Sequence, residues 1–286
     1  MKSHTEIIKE RLTKGVLNPQ IKPLIVHDYS YSFHELGMEE NESKETAKQV
    51  VEYIEKSETL EETEHKVRSL FEKTKVGGFN LFQLIQLGLT DRVNKIVVQI
   101  TPYLKGIQGK VFDYGMGAGE VTQKLKTDLG LNIEGGDVRD FRSPHVAIPF
   151  VKLNDSPDGE GKIVPVQDKY YEVGILTNVI HHEKINENIL EELDRIVSKK
   201  LVVIETVPVG NTPEEIQLDH ERTFASDVLW NRFFNDADIP VPGTYETPKD
   251  WIKRFEKFGW KTTHSDDLGY DQKSIHDVHH LLVFER

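Results

Sequence analysis

Apolar side chains in the first hundred residues recur at helical spacing. In KETAKQVVEYIEK, Ala47, Val50, Val51 and Ile54 fall at i, i+3, i+4 and i+7, and Val93, Ile96, Val97 and Ile100 repeat that pattern, so both stretches are predicted to be amphipathic helices. Between them SETLEETEHKVRSLFEK is strongly charged and keeps only a narrow apolar stripe of Val67, Leu70 and Phe71. A solvated outer helix face explains that pattern better than an acidic binding patch. HDYSYSFHELG, residues 27–37, has three aromatics and two histidines without periodicity, and reads either as a gate over a ligand or as a plain loop anchored by its rings.

Near residue 105 the pattern changes to short apolar runs alternating with helical ones, the mark of a parallel α/β sheet. KVFDY predicts a first strand, EVTQKLKTDLG a helix stopped by Gly130, and LNIEGGD a second strand. VRDFRSPHVAIPFVKL contains Pro144 and Pro149, which disfavours a full crossover helix and predicts a loop leading to a strand near 150–153. YEVGILTNV is an almost uninterrupted apolar strand. KINENILEELDRIV then sets Ile185, Ile189, Leu193 and Ile196 on one helical face, and LVVIETV returns as a strand. Residues 208–246 are too long for an ordinary connection and carry their own aromatics, so they read as a lid or substrate-binding insertion. Thr247 and Pro248 begin a helix with Trp251, Phe255 and Phe258 on its apolar face and Gly259 at its end; WKTTHSDD and VHHLLVFE predict two last strands. The expected organisation is a helical cap over 1–105 and a doubly wound α/β domain over 106–286.

Composition narrows the chemistry. With 286 residues, 37% of them hydrophobic, the chain can bury one large core with an appendage. No apolar run reaches 18 residues and the first residues lack a signal-peptide core, so a soluble, cytoplasmic protein is expected. The absence of cysteine excludes a disulfide framework, cysteine-ligated zinc and a thiolate nucleophile. A net charge of -12 repels polyanions, so a small-molecule partner is expected and nucleic acid is not, Lys199 and Lys200 forming at most a local basic patch.

VFDYGMGAGEVTQ, residues 111–123, carries the most specific signal: Gly115, Gly117 and Gly119 between a strand and a helix. Clustered glycines at a helix start cost stability, and close backbone approach to a ligand is one compensating reason. A tight turn without a ligand is the simpler alternative. Asp113 before the loop and Asp137 at the end of the second strand stand at offsets that favour a ligand. The spacing G-x-G-x-G is not the dinucleotide G-x-G-x-x-G, and an acid before the loop suits a cationic ligand better than a pyrophosphate. A carboxylate at the second strand's end can accept two ribose hydroxyl hydrogen bonds.

D-Y-G-M-G-A-G, residues 113–119, resembles the first motif of the class I S-adenosylmethionine-dependent methyltransferases, and the resemblance continues through LNIEGGD, IVPVQDKYYEVGILTNVIHH and VVIETV, over roughly residues 107–207. It implies a mostly parallel seven-stranded, Rossmann-like sheet and S-adenosylmethionine as cofactor. It also implies that Asp113 and the glycine loop hold the methionine part, that Asp137 holds the ribose hydroxyls, and that Asp155 or Asp158 lies near the adenine amine. By their position at the ends of the fourth and fifth strands, Asn178 and Glu205 are further candidates for lining the site, Asn178 as a cofactor contact. Three features depart from the family pattern: Gly136 before the ribose acid, Glu172 for the usual aspartate, and the missing helix after the second strand. The branch it most resembles is the small-molecule, type 11-like set related to quinone-biosynthesis enzymes; that branch says little about the acceptor, and methylation of a small organic acceptor at oxygen is the expectation.

His181 and His182 follow the fourth strand and are the candidate proton acceptors, although a packing or orienting role is the competing reading. In an extended segment neighbouring side chains diverge, so one of the two is expected to face the acceptor. His220, Glu221, Arg222, Trp230 and Phe234 read as a charged helix end and a small satellite core more readily than as a substrate site. His276, His279 and His280 lack a carboxylate at ligand spacing and read as structural, and no metal is expected. A nicotinamide-dependent oxidoreductase on the same kind of sheet and a non-catalytic S-adenosylmethionine sensor are the alternatives.

Overall fold

Ser3 and Glu6 form a reciprocal cap at the start of α1 (His4–Leu17), and Thr59 caps α4 (Leu60–Lys73). Between them lie α2 (Lys22–Glu35) and α3 (Glu40–Lys56). The computed structural model describes residues 2–157, 161–183, 186–235 and 239–286; Asp158 and Ile185 lie outside these, as does the side chain of His276. The chain divides into two compact units.

The first unit comprises Met1–Thr90, Pro208–Tyr245 and Tyr270–Val278. Its core joins Ile8, Leu12, Val50, Val51, Ile54 and Phe71 of the N-terminal helices to Phe224, Val228, Phe233 and Phe234. Those last residues come from α8 (Pro213–Val228) and the π-helical turn Leu229–Phe234 that follows it. Phe71 and Phe234 stack at 4.4 Å, with Phe33 and Phe82 edge-on around them. The insertion therefore contributes to the main core of this unit instead of forming a satellite core. Its charged run is tied to neighbouring helices: Arg11 bonds Glu221 and His220, and Arg222 bonds Asp28 and Asp219.

The reading of residues 27–37 as a plain loop is corrected by α2, whose Ile25, Tyr29 and Phe33 recur every fourth residue and are buried. Serines between these positions hid the helix in the sequence. Ser30 finds its partner on α3, in Ser43 at 3.2 Å, and Tyr29 donates to the Ala225 carbonyl at 2.8 Å.

The second unit comprises Asp91–Val207, Glu246–Gly269 and His279–Arg286. Its sheet has seven strands: β1 (Lys110–Tyr114), β2 (Asn132–Asp137), β3 (Phe150–Lys152), β4 (Tyr171–Thr177), β5 (Val197–Thr206), β6 (Lys261–Gln272) and β7 (Ile275–Glu285), in the spatial order β6-β7-β5-β4-β1-β2-β3. The five strands from β1 to β5 pair in parallel, and β7 runs antiparallel to β5 with His280 opposite Glu205. The chain order reverses between β1 and β4, where an open α/β sheet leaves a crevice at the strands' carboxyl ends.

Alternation on β1 sends Val111 to one face and Phe112 to the other. On the first face Ile96, Val97 and Ile100 of α5 (Leu81–Leu104) and Leu125 of α6 (Glu120–Leu129) join Val111, Ile133, Ile175 and Val202. On the second, Phe112 stacks on Tyr171, and Phe255 of α9 (Pro248–Lys257) stacks on Phe284; α7 (Asn186–Ile196) packs beside β5. Helices thus cover both faces, the doubly wound α/β fold that the sequence predicts, with the N-terminal helical segment before it. Residues 138–149 hold no helix, as Pro144 and Pro149 implied. Among the described residues no helix is long and apolar enough to cross a membrane.

Candidate functional site

Gly115, Gly117 and Gly119 all adopt left-handed backbone, with φ of 72°, 52° and 74°. This conformation is strained for residues with a Cβ. The three differ in what surrounds them. A Cβ on Gly115 would lie 2.7 Å from both methyls of Val179, and one on Gly119 would lie 2.9 Å from Val146, whereas none of the described residues stands within 4 Å of that position on Gly117. Gly115 and Gly119 are required by packing as well as by backbone, and Gly117 faces open space. The loop is anchored to β2 by the Gly136 carbonyl, which accepts from the Gly115 and Met116 amides at 2.8 and 3.1 Å.

Two acids bracket the loop. Asp137 Oδ2 accepts the Gly117 amide at 2.9 Å and Oδ1 accepts that of Val138 at 2.7 Å. Partial burial raises its pKa, against the pull of those two amides. Asp113 is 1% exposed; its Oδ2 accepts from the Thr122 hydroxyl at 2.5 Å, and its Oδ1 is buried with no hydrogen-bond partner among the described residues. Burial pushes its pKa up to about 7, with Thr122 lowering it and the Asp137 charge adding to the rise. Thr122 was not singled out in the sequence. Its signal was position, on the first turn of the helix that follows the glycines, where it faces back to the strand end. The Tyr114 hydroxyl is likewise buried without a partner at the end of β1.

The glycine before Asp137 has a packing reason. A Cβ at Gly136 would fall 2.5 Å from the Phe112 ring, and one at Gly135 would fall 2.2 Å from the Met116 sulfur, so side chains from β1 and its loop occupy the space that larger residues on β2 would need. The other departure, Glu172, lies at the start of β4 and pairs with Lys199 at 3.0 Å, away from the carboxyl end.

The turn after β4 closes the crevice on its other side. Asn178 has a left-handed φ of 57°, and its amide donates to the Ile204 carbonyl at 2.8 Å. Its Nδ2 lies 3.0 Å from His279 Nε2, and its Oδ1 is buried without a partner among the described residues. An amide nitrogen only donates, so His279 accepts at Nε2. Residues Ile180–His182 then form a single 3₁₀ turn. This turn overturns the extended geometry on which the two histidines were expected to diverge: their ring centroids lie 4.2 Å apart.

Glu205, at the end of β5, is fully buried. Its Oε1 accepts the Val179 and Ile180 amides at 2.8 and 2.7 Å, and its Oε2 lies 2.6 Å from His181 Nδ1. Burial opposes its charge, but His181 and the two amides outweigh that and hold its pKa below the usual value.

Asp113, Gly115, Gly117, Gly119, Asp137, Asn178, His181 and Glu205 thus all lie around the carboxyl ends of β1, β2, β4 and β5. Asp155 stands apart from this hydrogen-bonded set, 73% exposed on a short hairpin and paired with Lys162. His280 bonds Ser265 at 2.8 Å on β6, and His220 lies in the first unit against Arg11.

No family model and no curated protein matches the chain. It is similar to a solved SAM-dependent methyltransferase from Aquifex aeolicus, at 13% identity and a TM-score of 0.45 over 78% of this chain and 97% of that one. The magnesium protoporphyrin IX methyltransferase of Synechocystis PCC 6803 with bound SAH gives 14% identity and a TM-score of 0.47 over 78% and 94%. The (4+2)-cyclase SpnF gives 12% and 0.47 over 68% and 80%. These likenesses span proteins named for methyl transfer and for cyclisation, so the reaction has to be argued from the residues.

Proposed function

We propose that the second unit binds S-adenosylmethionine at the carboxyl ends of β1 and β2 and transfers its methyl group to a small organic acceptor, at oxygen. The observation that carries this reading is the arrangement around Gly117: its amide is fixed by Asp137, open space lies beside it, and Asp113 keeps an unsatisfied buried oxygen next to the same loop. The donor set fits a cationic amino-acid nucleoside. Asp113 supplies negative charge for the methionine end, and each Asp137 oxygen retains a lone pair for a ribose hydroxyl. Asn178 Oδ1 is a further buried acceptor toward the cofactor. Asp155 and Asp158 remain assigned to the adenine side by resemblance alone.

When bound, S-adenosylmethionine supplies an electrophilic methyl group on a sulfonium that departs as a neutral thioether. What remains for the protein is to orient the acceptor, exclude water and take the acceptor's proton. His181 and His182 are assigned that last task. The net charge of -12 and the small-molecule branch that the motif resembles support a small acceptor over a polyanion. Asp113 also disfavours the nicotinamide reading, since it would stand against a pyrophosphate.

Calorimetry with S-adenosylhomocysteine tests the site. Binding to the wild type that Asp113→Ala and Asp137→Ala each weaken is the expected result; undiminished affinity in both variants overturns the site. Tight NAD binding without any response to S-adenosylhomocysteine selects the oxidoreductase, and cofactor binding without turnover of any acceptor selects the sensor.

A further inference from the structure

The crevice holds two histidines in sequence, and one of them, His181, meets a buried carboxylate. The Glu205 carboxylate is engaged by three donors of one turn: the Val179 and Ile180 amides on Oε1, and His181 Nδ1 on Oε2. All four groups lie within the second unit. Glu205 is 0% exposed and His181 3%, so their contact is made away from bulk water.

We propose that Glu205 is a positioning residue that selects His181 over His182 and fixes its tautomer, so that Nδ1 carries the hydrogen and Nε2 is the basic nitrogen. The argument is one of valence. An ionised carboxylate only accepts, so the imidazole nitrogen 2.6 Å from it must donate. In a neutral ring with hydrogen on Nδ1, the lone pair is on Nε2. This assignment rests on the methyl-transfer reading for its use: with the donor bound, the acceptor's hydroxyl proton would pass to His181 Nε2 and on to solvent, while the oxygen's electron pair would bond the methyl carbon as its bond to sulfur breaks and the sulfur leaves as a neutral thioether. The resulting imidazolium is stabilised by the same carboxylate. Burial opposes the Glu205 charge, and the His181 contact together with the two backbone amides holds its pKa below the usual value, so the carboxylate is the acceptor in this pair.

Glu205→Gln gives the test a distinctive signature. The glutamine oxygen keeps the bonds to the Val179 and Ile180 amides, which turns its NH₂ toward His181 Nδ1. A donor there forces the ring hydrogen onto Nε2, the change that disables the analogous carboxylate–histidine pair of serine proteases. The experiment is a two-bond ¹⁵N–¹H correlation spectrum of protein labelled at histidine, with the His181 signals assigned by their loss in His181→Gln. The expected result is hydrogen on Nδ1 in the wild type and on Nε2 in Glu205→Gln. Hydrogen on Nε2 in the wild type, or an unchanged pattern in the variant, overturns the proposal. Should Glu205→Gln fail to fold, the wild-type spectrum alone decides.

Calorimetry with S-adenosylhomocysteine separates this from the function it serves. Equal affinity in wild type and Glu205→Gln is expected, and absence of binding in both overturns the donor assignment while leaving the tautomer standing. With an acceptor found in a panel of phenols and carboxylic acids, Glu205→Gln is expected to lower kcat by about 10²–10⁴-fold at unchanged KM for the donor. An unchanged kcat overturns the positioning role.

Discussion

Asp113 makes an opposed prediction for stability and for binding. It is a fully buried carboxyl with one oxygen on Thr122 and none on the other, and burial raises its pKa from 3.8 to about 7. The unfolded chain releases this proton near the ordinary value, so between about pH 4 and pH 7 the folded state binds a proton that the unfolded state does not. Stability therefore falls as pH rises through that window and levels off above it. The shift is about 3 units, and at about 1.4 kcal/mol per unit the ionised carboxylate costs the fold on the order of 4 kcal/mol at pH 8 and about 2 kcal/mol near pH 5.5. Asp113→Asn keeps the shape, can still meet the Thr122 hydroxyl, and removes the charge. The variant should gain up to about 4 kcal/mol over wild type at pH 8 and close to none near pH 4, while losing affinity for S-adenosylhomocysteine. Urea unfolding across this range, followed by Trp251 and Trp260 in proteins that carry Trp230→Phe, measures the gain within the second unit, where both tryptophans are buried. A variant less stable than wild type at pH 8, or a difference that does not change with pH, refutes the reasoning.

Among the glycines, Gly117→Ala should cost about 1 kcal/mol of backbone strain, because nothing obstructs its side chain. Gly115→Ala should cost roughly 1–3 kcal/mol more, from the 2.7 Å encounter with Val179; equal urea midpoints for the two variants contradict this. In the first unit Asp277 is buried, which pushes its pKa up to about 8, helped by Asp227 and opposed by Ser226 and Arg222. Its sign is that of Asp113, so Asp277→Asn should slow hydrogen exchange of the α8 amides at pH 8 and leave it unaltered near pH 4. Arg195 joins Glu192 to the Val164 and Val166 carbonyls. Removing it takes the charged partner from a buried carboxylate that keeps only the Val164 amide, so Arg195→Ala should destabilise the second unit by about 2 kcal/mol, and a loss below about 1 kcal/mol in urea unfolding contradicts that.

The sequence alone determined what depends on neighbours along the chain. Strand β1, the three left-handed glycines, α6 with Gly130 behind it, the proline-bearing loop before β3 and the Thr247–Pro248 start of α9 were all legible, because periodicity, capping and backbone strain act within a few residues. Asp113 and Asp137 were legible as a pair through their offsets from the glycines. Tertiary structure decided the rest. The helix α2 was hidden because polar serines interrupt its apolar spacing, of which Ser30 is satisfied by another helix, and the insertion 208–246 revealed its aromatics but not the core they join. Gly136 looked like a departure until the Phe112 ring, brought over by the β1–β2 pairing, showed what fills its place. The two histidines were visible in the sequence, but the choice between them was not. Glu205 lies 24 residues from His181, and only the parallel registry of β4 with β5, with Thr177 opposite Ile204, brings its carboxylate under the turn. A tautomer is set by the group facing the ring, and that group is chosen by strand pairing and not by spacing along the chain.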